Sequence, residues 1–189
     1  MRTQIVLQKS SEGFTLVETL VAITVLLLVV VGPMTVAQKG IQNAYYANEQ
    51  VTAVFLAQEA IEALRELRDN DGLNAYDNGI GAETWDWYEA DIHSDCKDSN
   101  GCAYDDGGFY SCLSRNNCVL KENSGTSEYS YDSGEPNSLF TRKVYVEDTL
   151  TGGVLVTVGV TWNAKIFGNS PRTVRLQTWI YDHYERFEN

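Results

Sequence analysis

The spacing of apolar and polar residues divides the chain into stretches that predict different elements. From Leu20 to Val31 every residue is apolar except Thr24, and no charged residue occurs between Thr19 and Gln38. At about 1.5 Å per residue, a helix of about 20 such residues crosses a hydrocarbon core of about 30 Å. Gly32-Pro33 interrupts the run. Proline removes a backbone donor and clashes with the preceding turn, so a kink or a short unwound segment is predicted there. Beyond Lys39 the pattern turns periodic: Ala47, Val51, Val54, Phe55, Ile61, Leu64 and Leu67 recur at three- and four-residue steps, with Glu49, Gln50, Glu59, Glu62, Arg65 and Glu66 filling much of the remainder. This predicts an amphipathic helix to about Arg68 whose apolar stripe packs on a sheet. Asp69-Asn70-Asp71-Gly72 reads as a helix stop.

Residues 71–138 show little periodicity and carry many turn residues, with Trp85, Trp87 and Tyr88 as a short strand or an aromatic patch that packs or, alternatively, stacks a ligand. Alternation returns in the last third. Val144 and Val146 alternate with Lys143, Tyr145 and Glu147, and Thr151-Gly152-Gly153 supplies a turn. Val154, Val156, Val158, Val160 and Trp162 then form one face of a long strand. A connection around Gly168-Asn169-Ser170-Pro171 leads to Val174, Leu176, Thr178 and Ile180, which alternate with Arg175, Gln177 and Trp179. One long helix followed by an antiparallel sheet of about three to four strands makes the predicted class α+β, with the helix stripe on the apolar sheet face.

Length and charge narrow the functions. A chain of 189 residues holds one modest globular head plus an extended element. Its net charge of -12 argues against phosphate or anionic-lipid binding as the main activity, and nucleic acid is not an expected partner unless a local basic patch exists. Cys96, Cys102, Cys112 and Cys118 lie in a stretch poor in aliphatic residues, which suits disulfides in an oxidising compartment; four cysteines allow three pairings. Their spacing lacks the short knuckle of a zinc ribbon. Asp95, Asp98, Asn100, Asp105 and Asp106 offer oxygen ligands for calcium, but Gly107 would stand where the twelve-residue calcium loop needs its bidentate glutamate, so solvated loop acids and no cofactor are expected. His93 and His183 have no nucleophile motif beside them, and no phosphate loop or dinucleotide fingerprint occurs. An enzyme is not expected.

The start of the chain changes the picture most. Met1 to Gly13 is polar and weakly basic through Arg2 and Lys9, with the single acid Glu12. A secretory signal places small residues after its apolar run, as Gly32 and Ala37 stand here, whereas Gly13 stands before it. An uncleaved signal anchor is the other conventional reading. Glu18 separates these alternatives, because a carboxylate at the centre of an apolar span costs about 2.5–3.5 kcal/mol on insertion scales and usually has a partner or a task. Cleavage after Gly13 would free the amine of Phe14, and that ammonium would offset the Glu18 charge within its own helix or a neighbour's, fixing the axial register between helices.

Gly13-Phe14-Thr15-Leu16-Val17-Glu18, followed by the apolar run Thr19 to Val31, resembles the leader-cleavage motif of type IV prepilins and pseudopilins. The resemblance implies that a membrane aspartyl peptidase cuts after Gly13 and methylates Phe14, and that Glu18 is the glutamate needed for filament assembly. It implies a leader at 1–13, a transmembrane and filament-core helix at 14–38 kinked near Gly32 and Pro33, an amphipathic half at 39–70, a cysteine-containing insertion at 71–138 and the sheet at 139–189. The implied partners are other pilin subunits through the amino-terminal helix, the prepilin peptidase, an inner-membrane assembly platform, and membrane lipid before assembly. The implied location is the cytoplasmic membrane with the head outside the cytoplasm, then a periplasmic or extracellular filament. The strands around Val160-Thr161-Trp162 and Val174-Arg175-Leu176-Gln177-Thr178 are similar to those of minor pilins and minor pseudopilins. The expected function is therefore a structural subunit, minor rather than major. The alternatives are a minor pseudopilin of a type II secretion system or DNA-uptake filament, and a tip-located adhesive or binding subunit.

Overall fold

The computed structural model describes residues 13–77, 88, 92, 94–105, 108–131, 134–149, 153–164 and 170–181. Two compact units divide the chain, Met1–Tyr45 and Tyr46–Asn189. One helix, α1 (Leu16–Asp77), contributes to both.

Within the first unit, every described residue from Gly13 to Tyr45 is exposed, including twelve large aliphatic side chains between Leu16 and Val31. By length and composition this is a helix able to cross a membrane. Its few hydroxyls are turned inward on the backbone: Thr19 Oγ1 donates to the Leu16 carbonyl, Thr24 Oγ1 to that of Val21, and Thr35 Oγ1 to that of Gly32, each at 2.8 Å. Polar groups satisfied this way suit a hydrocarbon surround. The chain stays helical across Gly32 and Pro33, without an unwound segment.

Among the described residues the second unit has seven strands: β1 (Cys102–Asp105), β2 (Gly108–Ser111), β3 (Val119–Glu122), β4 (Tyr129–Ser130), β5 (Asn137–Thr149), β6 (Gly153–Ala164) and β7 (Ser170–Tyr181). All pairings are antiparallel. The predicted meander is β5-β6-β7, in continuous register from Phe140↔Trp162 to Thr149↔Gly153 and from Gly153↔Tyr181 to Ala164↔Ser170. Ser170 and Pro171, expected in a connection, open β7 instead; β7 is an edge strand, where a missing N–H is tolerated. The free edge of β5 is shared by β1 at Val144 and β3 at Thr141 and Asn137.

The alternation sets the core. Phe140, Val144, Val146, Val154, Val156, Val158, Val160, Trp162 and Ile180 all lie on one face of the sheet and are buried against α1. The helix presents Ala53, Leu56, Ala57, Ala60, Ile61, Ala63 and Leu64 to that face. This corrects the predicted stripe, since Ala47, Val51 and Phe55 point outward. Alanines win because a valine-rich sheet face lets the helix backbone approach closely, and a phenylalanine there would hold the two layers apart. The helix also runs past the predicted stop at Asp69–Gly72. Gly72 carries no positive φ, and one helical glycine costs only about 1 kcal/mol, while Leu67, Arg68 and Asp71 remain half-buried on the unit.

Candidate functional site

The first candidate site lies where the helix begins. Gly13, Phe14 and Thr15 precede the helix and are exposed, with Phe14 79% accessible. The Gly13–Phe14 peptide bond therefore stands outside the helical hydrogen-bond ladder, in chain that a protease can bind extended. Thr15 Oγ1 accepts the Glu18 N–H at 3.3 Å. Thr15-x-x-Glu18 is thus the start of a capping box, a role the pattern Ser/Thr-x-x-Glu before an apolar run announces. The Glu18 carboxylate is exposed and makes no hydrogen bond or ion pair among the described residues. It sits in the first turn, where the helix dipole favours a negative charge, and a free ammonium at Phe14 would be disfavoured there without it.

A second constellation holds α1 to the sheet. Arg142 occupies an inward position of β5 and is 2% exposed. Its Nη1 donates to the Leu56 carbonyl at 3.3 Å and to Glu59 Oε2 at 2.8 Å, and its Nη2 donates to the Tyr104 carbonyl at 2.9 Å. Tyr131 donates its hydroxyl to the Arg142 carbonyl at 3.3 Å. Two further links flank it: Trp162 Nε1 donates to Glu49 Oε2 at 3.0 Å, and Arg65 Nη2 donates to Thr178 Oγ1 at 3.2 Å. A cation in the apolar phase Phe140-x-Arg142-x-Val144 is the sequence signal for this clamp, one that the alternation of β5 alone does not single out. These groups bind and position; none is arranged as a nucleophile with a base.

The third group is the cysteine segment. The structure selects one pairing of the three, Cys96–Cys102 and Cys112–Cys118, each with Cα atoms 4.7 Å apart. Gly101, with a φ of 69°, turns the chain so that Cys102 returns to Cys96. The second bridge closes over three successive left-handed residues, Asn116, Asn117 and Cys118. Asn116 Nδ2 pins that turn by donating to the Val119 carbonyl at 3.1 Å and to Asn137 Oδ1 at 2.9 Å. The segment is no bare loop: Cys96, Cys102, Phe109 and Cys118 are buried in the core, and β1 to β4 join the sheet. Asp105 pairs with Arg115 Nε at 2.8 Å, and among the described residues no group of three or more His, Cys, Asp or Glu is placed to hold a metal ion. Lys97 stands over the Tyr88 ring at 3.9 Å. Trp85, Trp87, His93, Asp106, Gly107 and His183 lie outside the described residues.

An exposed apolar helix that opens on an accessible Gly-Phe bond and is long enough to cross a membrane, and whose later turns are buried on an antiparallel sheet, defines an α+β protein of one long helix and a sheet. The family model for the prokaryotic N-terminal methylation motif matches residues 8–32, which hold Gly13, Phe14 and Glu18. On that motif and this fold, the chain is similar to the type IV prepilins and pseudopilins. No curated protein and no solved structure gives a significant match.

Proposed function

We infer that the chain is a minor structural subunit of a type IV pilus or pilus-like filament, cut after Gly13, methylated at Phe14, and assembled through its amino-terminal helix. The observation that carries this reading is Glu18: an acid without a partner among the described residues, four positions after the residue whose amine the cut would free. On insertion scales each Leu, Ile or Val contributes about 0.3–0.6 kcal/mol, so a dozen of them outweigh the single acid by a few kcal/mol and the helix can wait in lipid. In a filament core the same helix exchanges lipid for neighbouring helices, and pairing Glu18 with a Phe14 ammonium selects the register. Other copies of the family, the peptidase and an assembly platform in the inner membrane are the partners of this cycle, and no cofactor enters it.

The test is a Glu18→Ala strain beside a deletion strain. The reading expects Glu18→Ala to be trimmed yet fail to incorporate into filaments, scored by immunogold microscopy and by secreted protein. Normal incorporation of the variant would overturn it. The 86% exposed Leu113, on the loop closed by Cys112–Cys118, favours the tip-located alternative. That reading expects the deletion strain to keep filaments and lose adhesion or secretion.

A further inference from the structure

The face of the meander turned away from α1 has a composition that packing does not account for. The registers set its residues in rows across the three strands: Thr141, Thr161 and Thr173; Lys143, Gly159 and Arg175; Tyr145, Thr157 and Gln177; then Glu147, Leu155 and Trp179. The first three rows and Glu147 line an open hollow of about 540 Å³. At its middle is Gly159, whose missing side chain leaves a gap: a Cβ built there would meet nothing within 4 Å. Lys143 and Arg175 flank that gap, about 10 Å apart across two strand spacings. Glycine inside a strand loses packing, and it recurs where another molecule approaches the backbone closely.

The charge is opposite to that of the rest of the protein. The chain carries -12 overall, yet the hollow holds two cations against the single acid Glu147. Lys143 Nζ donates to the Asn100 carbonyl at 2.9 Å, which leaves it two donors. Arg175 makes no hydrogen bond or ion pair among the described residues. Around them stand short neutral polar groups fixed to one another: Gln177 Nε2 donates to Thr157 Oγ1 at 3.0 Å, and the Thr161 and Thr173 hydroxyls are 3.0 Å apart. Further along the same face Trp179 and Tyr181 stack at 6.4 Å between ring centroids, and both are about half exposed.

Two cations over a gap select an anion. Fixed hydroxyls, an amide and a lone carboxylate suit a ligand rich in hydroxyl groups, and an exposed aromatic pair suits a flat ring with an apolar face. We propose that the outer face of β5, β6 and β7 binds an acidic oligosaccharide, its carboxylate or sulfate held between Lys143 and Arg175 over Gly159, and a neighbouring sugar supported on Trp179. Arg175 and Trp179 are four residues apart, about 13 Å along the strand, so the ligand is longer than one sugar. A duplex nucleic acid fits worse, because its closely spaced phosphates would meet the acidic remainder of the surface. This inference goes beyond the filament reading and does not rest on it.

The test is calorimetric titration of the full chain in neutral detergent micelles with a heparin-derived hexasaccharide, a galacturonate hexamer, and neutral cellohexaose as control. Saturable binding of either acidic sugar, with none for cellohexaose, is the expected result, and the acid that binds names the anionic group. Lys143→Ala, Arg175→Ala and Trp179→Ala should each weaken binding about tenfold. Gly159→Val should weaken it similarly by filling the gap, with an unchanged melting temperature to show that the head is intact. Absence of saturable binding, equal affinity in the variants, or equal competition by inorganic sulfate or a short DNA duplex would overturn the proposal.

Discussion

Arg142 stands where the alternation of β5 calls for an apolar side chain, and it is tolerated because three acceptors converge on it. Removing the guanidinium would empty a buried site and take a donor from the Tyr104 carbonyl, while the Leu56 carbonyl keeps its helical hydrogen bond. Arg142→Ala is therefore expected to destabilise the head by about 3–5 kcal/mol in urea unfolding, whereas Glu59→Gln, at a half-exposed partner, should cost about 1 kcal/mol or less. Tyr131 belongs to the same cluster. Burial raises its hydroxyl above the ordinary tyrosine range, and the neighbouring Arg142 charge partly offsets the rise. A folded-state pKa above the unfolded one gives stability that is complete below the unfolded value of about 10 and is lost as pH rises through the folded value. The head should accordingly weaken above about pH 10 in circular-dichroism melts, and Tyr131→Phe should reduce that slope while lowering stability at neutral pH by about 1 kcal/mol. Tyr104 and Tyr129, both raised by burial, add loss of the same sign. Residue by residue, the motif that holds Gly13, Phe14 and Glu18 was legible because a motif needs only order along the chain. The Arg142 clamp was not, because its acceptors come from positions 56, 59 and 104.

At the scale of elements, legibility followed length. The strands of the meander run 12 or 13 residues, long enough for alternation to declare both faces. β1 and β2 have four residues each, too few for a period to show, although the Asp-Gly pair at 106–107 between Asp105 and Gly108 is a hairpin signal that could have revealed them. The helix was legible as amphipathic, with Ile61 and Leu64 buried as predicted, but Ala47, Val51 and Phe55 were assigned to the wrong face. Hydrophobicity ranks Val51 and Phe55 above Ala53, Ala57 and Ala60, while a valine-rich sheet face ranks them by size. The cysteine pairing was beyond sequence because it depends on Gly101 and on the left-handed turn at 116–118. Each bridge closes a loop with a sequence separation of 6, and loop-closure entropy assigns each about 2 kcal/mol. Since the loops do not overlap, reduction should lower unfolding stability by about 4–5 kcal/mol, and changing one pair to serine should remove about half of that in chemical denaturation.

At the scale of the whole molecule, the chain joins a unit that cannot stay in water to one that can. The exposed aliphatic run from Leu16 to Val31 would gain about 1.5–3 kcal/mol for each side chain removed from water, so lipid or neighbouring helices must cover it. The head has its own core, two disulfides and an acidic surface, and needs no membrane. On the proposed reading, a cut after Gly13 would link the two by converting a precursor into a subunit whose amine can meet Glu18. The most direct measurement is mass spectrometry of the amino-terminal peptide from native membranes and filaments. The account predicts a peptide that begins at Phe14 and carries one added methyl group on its amine; a protein that retains Met1 through Gly13 in every fraction would contradict it.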